Sequence, residues 1–404
     1  MALVESALLA VSVLLATPVA HPCAVQPNAP VLADESPVSQ AELQSIATKS
    51  LERHELPAFA LAIVTKDGVE TIAVAGIRSR IDPTPLEAGD RMHLGSCTKA
   101  FTATLAAALV ADGMLRWDST IQEVLGSDAP VVAEGWRAVT LEDLLRHRGG
   151  ASAYPLDTDW KAAFDCTAAP EACRKAFVDS MLSRAPSQQR GKHVYSNQGY
   201  ALAGRMCEVA ARKPYEALLR ERVLEPLGIA SAAFGPPSRT DAASPKGHAD
   251  SGMVRDEDNP MAIAPAGLLA MSLPDWAKFV AFHLGATPPE ALKGAASQLA
   301  KLHEAGPTHP KEGLGWITAK RDWGGSVLTH SGSNTMWYAT AWLAPERGFA
   351  VLSATNQGGE RAGRACDEAC AFAIKARNAA TAKAEPAANT PSANPTAPAP
   401  ADAK

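Results

Sequence analysis

The chain has 404 residues, of which 47 % are hydrophobic and 20 % charged, and its formal net charge is −5. That apolar content excludes a chain disordered throughout, and the length favours two packed lobes. The acidic balance, with no Lys/Arg-rich arm, excludes nucleic acid as a partner, and no internal run supplies the roughly 20 apolar residues that a membrane-spanning helix needs.

The N-terminal run Ala7 to Ala20 (ALLAVSVLLATPVA) has the length and composition of a signal-peptide core, with Ala20 as the cleavage candidate, although Glu5 stands where positive charge is usual. The chain is therefore expected to be exported, to the periplasm or beyond. Residues 1–38 read as this leader followed by a Pro-rich stretch. Seven cysteines leave at least one unpaired. Cys166 and Cys173 lie close within CTAAPEAC, a spacing open to a local disulfide in an oxidising compartment. Cys366 and Cys370, at i, i+4, read as packing residues. No C-x-x-C pair exists, so no zinc ribbon or thioredoxin-type site is expected.

In chain order, Gln40 to His54 has helical periodicity, and Ala58 to Thr65 and Val69 to Ala75 read as a hairpin across Lys66-Asp67-Gly68. Thr98 to Asp112, rich in Ala and Leu and stopped by Gly113, predicts a buried helix. Helical segments broken by loops follow, among them Leu141 to Arg146, Ala172 to Arg184, Gly199 to Arg212, Tyr215 to Val223 and Leu273 to Leu284. The period then changes. Gly315 to Lys320, Ser326 to Thr329, Trp337 to Leu343 and Phe349 to Thr355 read as consecutive antiparallel strands, before a last helix over Arg361 to Arg377. Residues 379–404, Ala/Pro-rich and without period, read as a disordered tail. The fold class expected is α+β: an antiparallel sheet built from both chain ends and flanked by helices (residues 39–113 and 286–378), beside an all-α lobe (residues 114–285). The cleft between them is the default site.

Three short motifs carry chemistry. Ser96-Cys97-Thr98-Lys99 is the only S-x-x-K. Ser96 opens the buried helix at the positive end of its dipole, and Lys99 lies one turn on, on the same face. A lysine in a dry helix has its pKa lowered and serves as base toward a neighbouring hydroxyl. Tyr195-Ser196-Asn197 precedes a helix; a Tyr near Lys⁺ suits a phenolate base, and Ser and Asn suit proton shuttling and grip on an amide. His330-Ser331-Gly332-Ser333 ends a predicted strand, with no side chain at Gly332 to block backbone pairing with an extended substrate. Each motif alone also has a plain structural reading, as helix start, packed ring and turn. His303-Glu304 with His309 misses zinc-protease spacing, and no G-x-S-x-G occurs. His147 and His193 read as solvent or loop histidines.

Together and in this order, the motifs resemble the Ser-x-x-Lys, Tyr-x-Asn and Lys/His-x-Gly set of the serine β-lactamase and penicillin-recognising family. The likeness is nearest to its class C β-lactamase and DD-carboxypeptidase branch, which also holds esterases and D-aminopeptidases. Val139 to Gly150, Tyr215 to Gly228 and Pro265-Ala266-Gly267-Leu268 with Ser272 and Asp275 are similar to the intervening family segments, so the likeness runs from about Glu42 to Ala376. The resemblance implies Ser96 as acyl-forming nucleophile, Lys99 and Tyr195 as a coupled base pair and Asn197 as ligand of the substrate amide. It implies His330, Ser331 and Gly332 as a substrate-binding strand, and the amides of Ser96 and Ser333 as the oxyanion hole. No metal or organic cofactor is needed. The expected partner is a small molecule or peptide, cell-wall peptide included, cleaved at an amide, ester or lactam bond. The alternative is a non-catalytic or penicillin-binding sensor that holds or acylates its ligand without turnover. Where family members have Lys, a neutral His330 offers a hydrogen bond and a weaker pull, and if it helps hold a substrate carboxylate its protonated form is expected to bind that substrate better. KM for carboxylate substrates should then rise between about pH 5.5 and 8.

Overall fold

In the computed structural model, which describes residues 37–307, 309 and 313–384, strand β1 (Ala58–Thr65) decides how the sheet is covered. Its side chains alternate between two apolar layers, so the strand reads as a continuous hydrophobic run. Phe59, Leu61 and Ile63 pack on one face with Leu43 and Ala47 of helix α1 (Gln40–Arg53). Ala58, Ala60, Ala62 and Val64 join the other layer with Phe101 and Leu105 of helix α2 (Thr98–Ala111). Gly68, at φ +113°, turns the chain from β1 into β2 (Gly68–Ser79), which is followed by β3 (Asp82–Pro85).

Five short strands follow: β4 (Met92–His93), β5 (Ala233–Phe234), β6 (Gly247–His248), β7 (Val254–Arg255) and β8 (Leu269–Met271). Of these, β4, β8 and β5 form a small sheet, and β6 pairs with β7. The chain returns to the main sheet through β9 (Ile317–Arg321), β10 (Gly325–Ser333), β11 (Tyr338–Ala344) and β12 (Phe349–Thr355). The result is a seven-stranded antiparallel sheet, order β3-β2-β1-β12-β11-β10-β9, in which Phe59 lies opposite Thr355 and Thr65 opposite Phe349. A sheet built from both ends is what the sequence predicts, and the α+β fold holds.

Several expectations need correcting. His330, Ser331 and Gly332 do not follow a strand that stops at Thr329; they lie within β10. The stretch 114–285 is not purely helical, since β5 to β8 fall inside it. Within it, helix α3 (Leu141–Leu145) and helix α4 (Asn197–Ala211) pack against each other, whereas helix α5 (Leu273–His283) packs on β1 and β2. Phe279 of α5 stacks on Phe101 of α2, with ring centroids 3.6 Å apart, which places α5 with the sheet. The last helix, α6 (Glu360–Ala384), runs past Arg377, so residues 379–384 are helical rather than part of a disordered tail. The expected signal segment and residues 385–404 lie outside the described residues. Cys166 and Cys173 are disulfide-bonded, Cα atoms 5.8 Å apart, and Cys366 and Cys370 are buried thiols.

Candidate active site

The site begins where β4 runs into α2. Gly95 adopts φ +49°, which an L side chain rarely accepts, and the turn Gly95–Cys97 delivers Ser96 at the start of the helix. Strand β10 crosses directly over this turn. A Cβ on Gly332 would stand 2.0 Å from the Leu94 carbonyl oxygen and 2.5 Å from the Ser96 amide nitrogen. Glycine at 332 is therefore demanded by the protein's own backbone contact, and not only by the approach of a substrate. The ladder between β9 and β10 stops at Thr329, which leaves the β9-side edge of His330 to Ser333 outside it.

Helix α2 is buried nearly all round because its Ala-rich surface admits neighbours on every side, and it carries Lys99 into the interior with no exposed surface. Lys99 Nζ lies 3.1 Å from Ser96 Oγ, 2.8 Å from Asn197 Oδ1 and 2.8 Å from the Ala266 carbonyl oxygen. Burial lowers its pKa to about 7. In the neutral amine two N–H bonds serve Asn197 and Ala266, and the remaining lone pair faces Ser96. The arrangement suits acceptance of the serine proton.

Tyr195 stands over Lys99, with Nζ 4.7 Å from the ring centroid. The residue is 40 % exposed, yet its hydroxyl end is turned inward against Ser96, and burial of that end raises its pKa above the ordinary phenol value despite the Ser96 hydrogen bond. A phenol so placed keeps its proton at neutral pH. Burial therefore works against the phenolate form expected of Tyr195. The Ser196 hydroxyl is engaged by the fold: it is buried and caps α4, accepting from the Gly199 amide at 3.2 Å and donating to the Ser152 carbonyl at 2.6 Å. That cap fixes Asn197 as the first residue of α4 and so places its side chain against Lys99.

Of the two readings, solvent or loop, His147 is the loop histidine, half-buried in the turn after α3. Its Nδ1 accepts from the Ser196 amide at 3.0 Å, its carbonyl accepts from the Val194 amide at 2.8 Å, and its ring lies 4.4 Å from that of Tyr195. It grips the Tyr195 loop from both sides. The only signal in the sequence was its position in the Val139 to Gly150 segment. His147, His193, Tyr195, Tyr200, Trp316 and His330 wall a cavity of about 150 Å³ at the site. A larger groove of about 690 Å³, lined by α1 and α6, contains none of the site residues.

His330 is 5 % exposed, and its Nδ1–H donates to the Ser331 carbonyl at 2.7 Å, which leaves Nε2 an acceptor in the neutral ring. Burial, reinforced by the nearby Lys99 charge, lowers its pKa to about 4. Both effects favour the neutral ring and work against the expected titration between pH 5.5 and 8. Ser331 is exposed, its hydroxyl 3.1 Å from Thr340 Oγ1, and Ser333 closes the strand beside the nucleophile turn.

A second buried constellation supports the turn from behind, and sequence reading missed it. The Gly95 amide donates to His93 Nδ1 at 3.1 Å, His93 Nε2 lies 3.0 Å from Asp258 Oδ2, and Asn334 Nδ2 donates to Asp258 Oδ1 at 2.9 Å. Its members are far apart in the chain and form no short motif.

A serine–lysine pair at the head of a buried helix, roofed by a tyrosine and edged by a sheet strand, is an arrangement that suits a serine hydrolase. The family model described as Beta-lactamase matches residues 43–373, and the chain belongs to that family. Penicillin-binding protein 4 of Amycolatopsis lactamdurans is 28 % identical over 76 % of this chain and 82 % of its own length. An unguisins hydrolase of Aspergillus campestris is 23 % identical over 78 % of this chain, which spans 61 % of that relative. Among solved structures, the octameric penicillin-binding protein homologue from Pyrococcus abyssi is similar in fold, with TM-score 0.68 and 21 % identity over 83 % of this chain and 77 % of that one.

Proposed function

We propose that this protein is an exported serine hydrolase that cleaves amide, ester or lactam bonds through a covalent acyl-enzyme on Ser96. The observation that carries the reading is the 3.1 Å contact between Ser96 Oγ and a wholly buried Lys99. In acylation, neutral Lys99 takes the Ser96 proton as Oγ attacks the substrate carbonyl carbon. The amides of Ser96 and Ser333 hold the developing oxyanion. As the tetrahedral intermediate collapses, the leaving group takes a proton from the Tyr195 hydroxyl, which Lys99 replaces. Water then releases the acyl group by the reverse proton path. Asn197 binds Lys99 through Oδ1 and keeps its amide hydrogens for a substrate carbonyl. The free edge of His330 to Ser333 pairs with the substrate backbone.

The substrates proposed are esters, D-amino-acid peptides, including those of the cell wall, and β-lactams. Neutral His330 favours the first two wherever a β-lactam depends on a cation for its carboxylate. Export is supported by the apolar N-terminal run and by the Cys166–Cys173 disulfide, which persists in oxidising compartments. Nitrocefin, a D-Ala-D-Ala peptide and p-nitrophenyl esters, each tested with wild type and Ser96→Ala, decide the matter. Wild type should turn over at least one of them, and Ser96→Ala should lose at least about 10³-fold. Retained hydrolysis by the pure variant would remove Ser96 from the role. A stoichiometric burst without turnover would turn the reading to a ligand-acylating sensor.

A further inference from the structure

We infer that His93, Asp258 and Asn334 form a buried positioning bridge that sets the distance between the two amides of the oxyanion hole. The inference rests on the acyl-enzyme reading above and concerns how that site is held.

The two amides belong to segments remote in sequence. Ser96 sits in the turn after β4, and Ser333 ends β10. Each has a neighbour gripped by the bridge. On one side the Gly95 amide donates to His93 Nδ1, which must therefore be the unprotonated nitrogen, so the neutral ring carries its hydrogen on Nε2 and donates it to Asp258 Oδ2. On the other side Asn334, next to Ser333, donates from Nδ2 to Asp258 Oδ1. Asn334 also accepts from the Met336 amide at 3.1 Å, and Thr335 between them is held at φ +74°, a left-handed conformation that a β-branched residue adopts only under constraint. The side chains of His93 and Asp258 have no exposed surface, and Asn334 is 6 % exposed.

Asp258 comes from the segment after β7 and belongs to neither amide-bearing element, so it works as a keystone between them. All three bonds have a fixed direction, and the geometry cannot be reversed without losing one. Oxyanion donors act within about 2.7–3.1 Å of the charge, so a slip of half an ångström between turn and strand weakens one of them. None of the three side chains is assigned contact with the substrate. They are positioning residues.

The test is Asp258→Asn. The new amide cannot accept from both neighbours, so either His93 changes tautomer and releases Gly95, or Asn334 is released. Enzyme is counted by active-site titration with p-nitrophenyl acetate. Per active site, kcat for that ester should fall by about 10- to 100-fold, below the loss caused by removing a donor outright. The Ki of phenylboronic acid, whose serine adduct presents an oxygen to the same amides, should rise by a similar factor, while KM stays within about threefold. A residue that merely stabilised the fold would lower the melting temperature and the titratable fraction but leave kcat per site and Ki unchanged. If Asp258→Asn does not fold, Asn334→Ala removes the far end of the bridge and carries the same expectation. His93→Leu, which withdraws both the Gly95 acceptor and the Asp258 donor, should behave alike. Wild-type kcat and boronate Ki in folded Asp258→Asn or Asn334→Ala, beside an inert Ser96→Ala, would overturn this inference alone. Turnover by Ser96→Ala would overturn the acyl-enzyme reading and this inference with it.

Discussion

On the proposed acyl-enzyme reading, Lys99 sets the pH at which the site works. Its conjugate acid, lowered to about 7 by burial, must lose a proton before it can accept one from Ser96. The kcat/KM for a neutral ester should therefore rise through a single limb with its midpoint near pH 7 and level off above it. Burial lowers His330 to about 4, and on that ground KM for a carboxylate substrate should stay flat from about pH 5.5 to 8. A KM that rises over that range would restore the charge contact suggested by the sequence alone. The same burial has a thermodynamic consequence. Because the folded-state pKa of Lys99 lies below its unfolded value, the unfolded chain binds more protons between the two, and stability contributed at this position rises with pH. Lys99→Met should abolish turnover yet raise stability at pH 7 by about 1–4 kcal/mol, with the gap to wild type closing toward pH 10. Urea unfolding at the two pH values measures it.

Each element near the site is placed by contacts that tolerate little change. Gly332 lets β10 lie on the nucleophile turn, and a methyl group there meets backbone rather than a flexible side chain. Gly332→Ala should cost about 1–3 kcal/mol through overpacking, and turnover should fall further than stability, as a thermal melt paired with an esterase assay would report. The helix carrying Asn197 has its own anchor. Arg174, fully buried in the helix Pro170–Leu182, binds Glu208 at 2.7 Å and Glu216 at 2.9 Å, and Arg205 of α4 binds Glu208 and Asp128. Arg174→Ala leaves Glu208 short of a buried partner and should destabilise by about 3–5 kcal/mol in denaturant unfolding. A loss below about 1 kcal/mol would mean that water replaces the guanidinium.

At the scale of the molecule, the sheet was legible because its strands are short apolar runs bounded by turn residues, with Lys66-Asp67-Gly68 closing the first hairpin. The motifs Ser96–Lys99, Tyr195–Asn197 and His330–Ser333 were legible because each is local and their order along the chain is informative. What sequence could not give is how remote parts meet. Gly332 owes its identity to Leu94 and Ser96, His147 to the loop it grips, and His93 to Asp258 and Asn334, which no spacing rule connects. Protonation states belong to the same class. What bears on His330 is its burial and its bond to the Ser331 carbonyl, and what bears on Tyr195 is a hydroxyl buried against Ser96, none of which a short motif records. Among the described residues no helix is long and apolar enough to cross a membrane. The central claim is a covalent intermediate on Ser96 formed by a buried lysine base. Mass analysis of peptides from enzyme acid-quenched within the p-nitrophenyl acetate burst tests it most directly. The account predicts one acetyl group on the peptide containing Ser96, absent from Ser96→Ala and formed much more slowly in Lys99→Met. An unmodified Ser96 peptide during turnover, or an acetyl group on another residue, would contradict it.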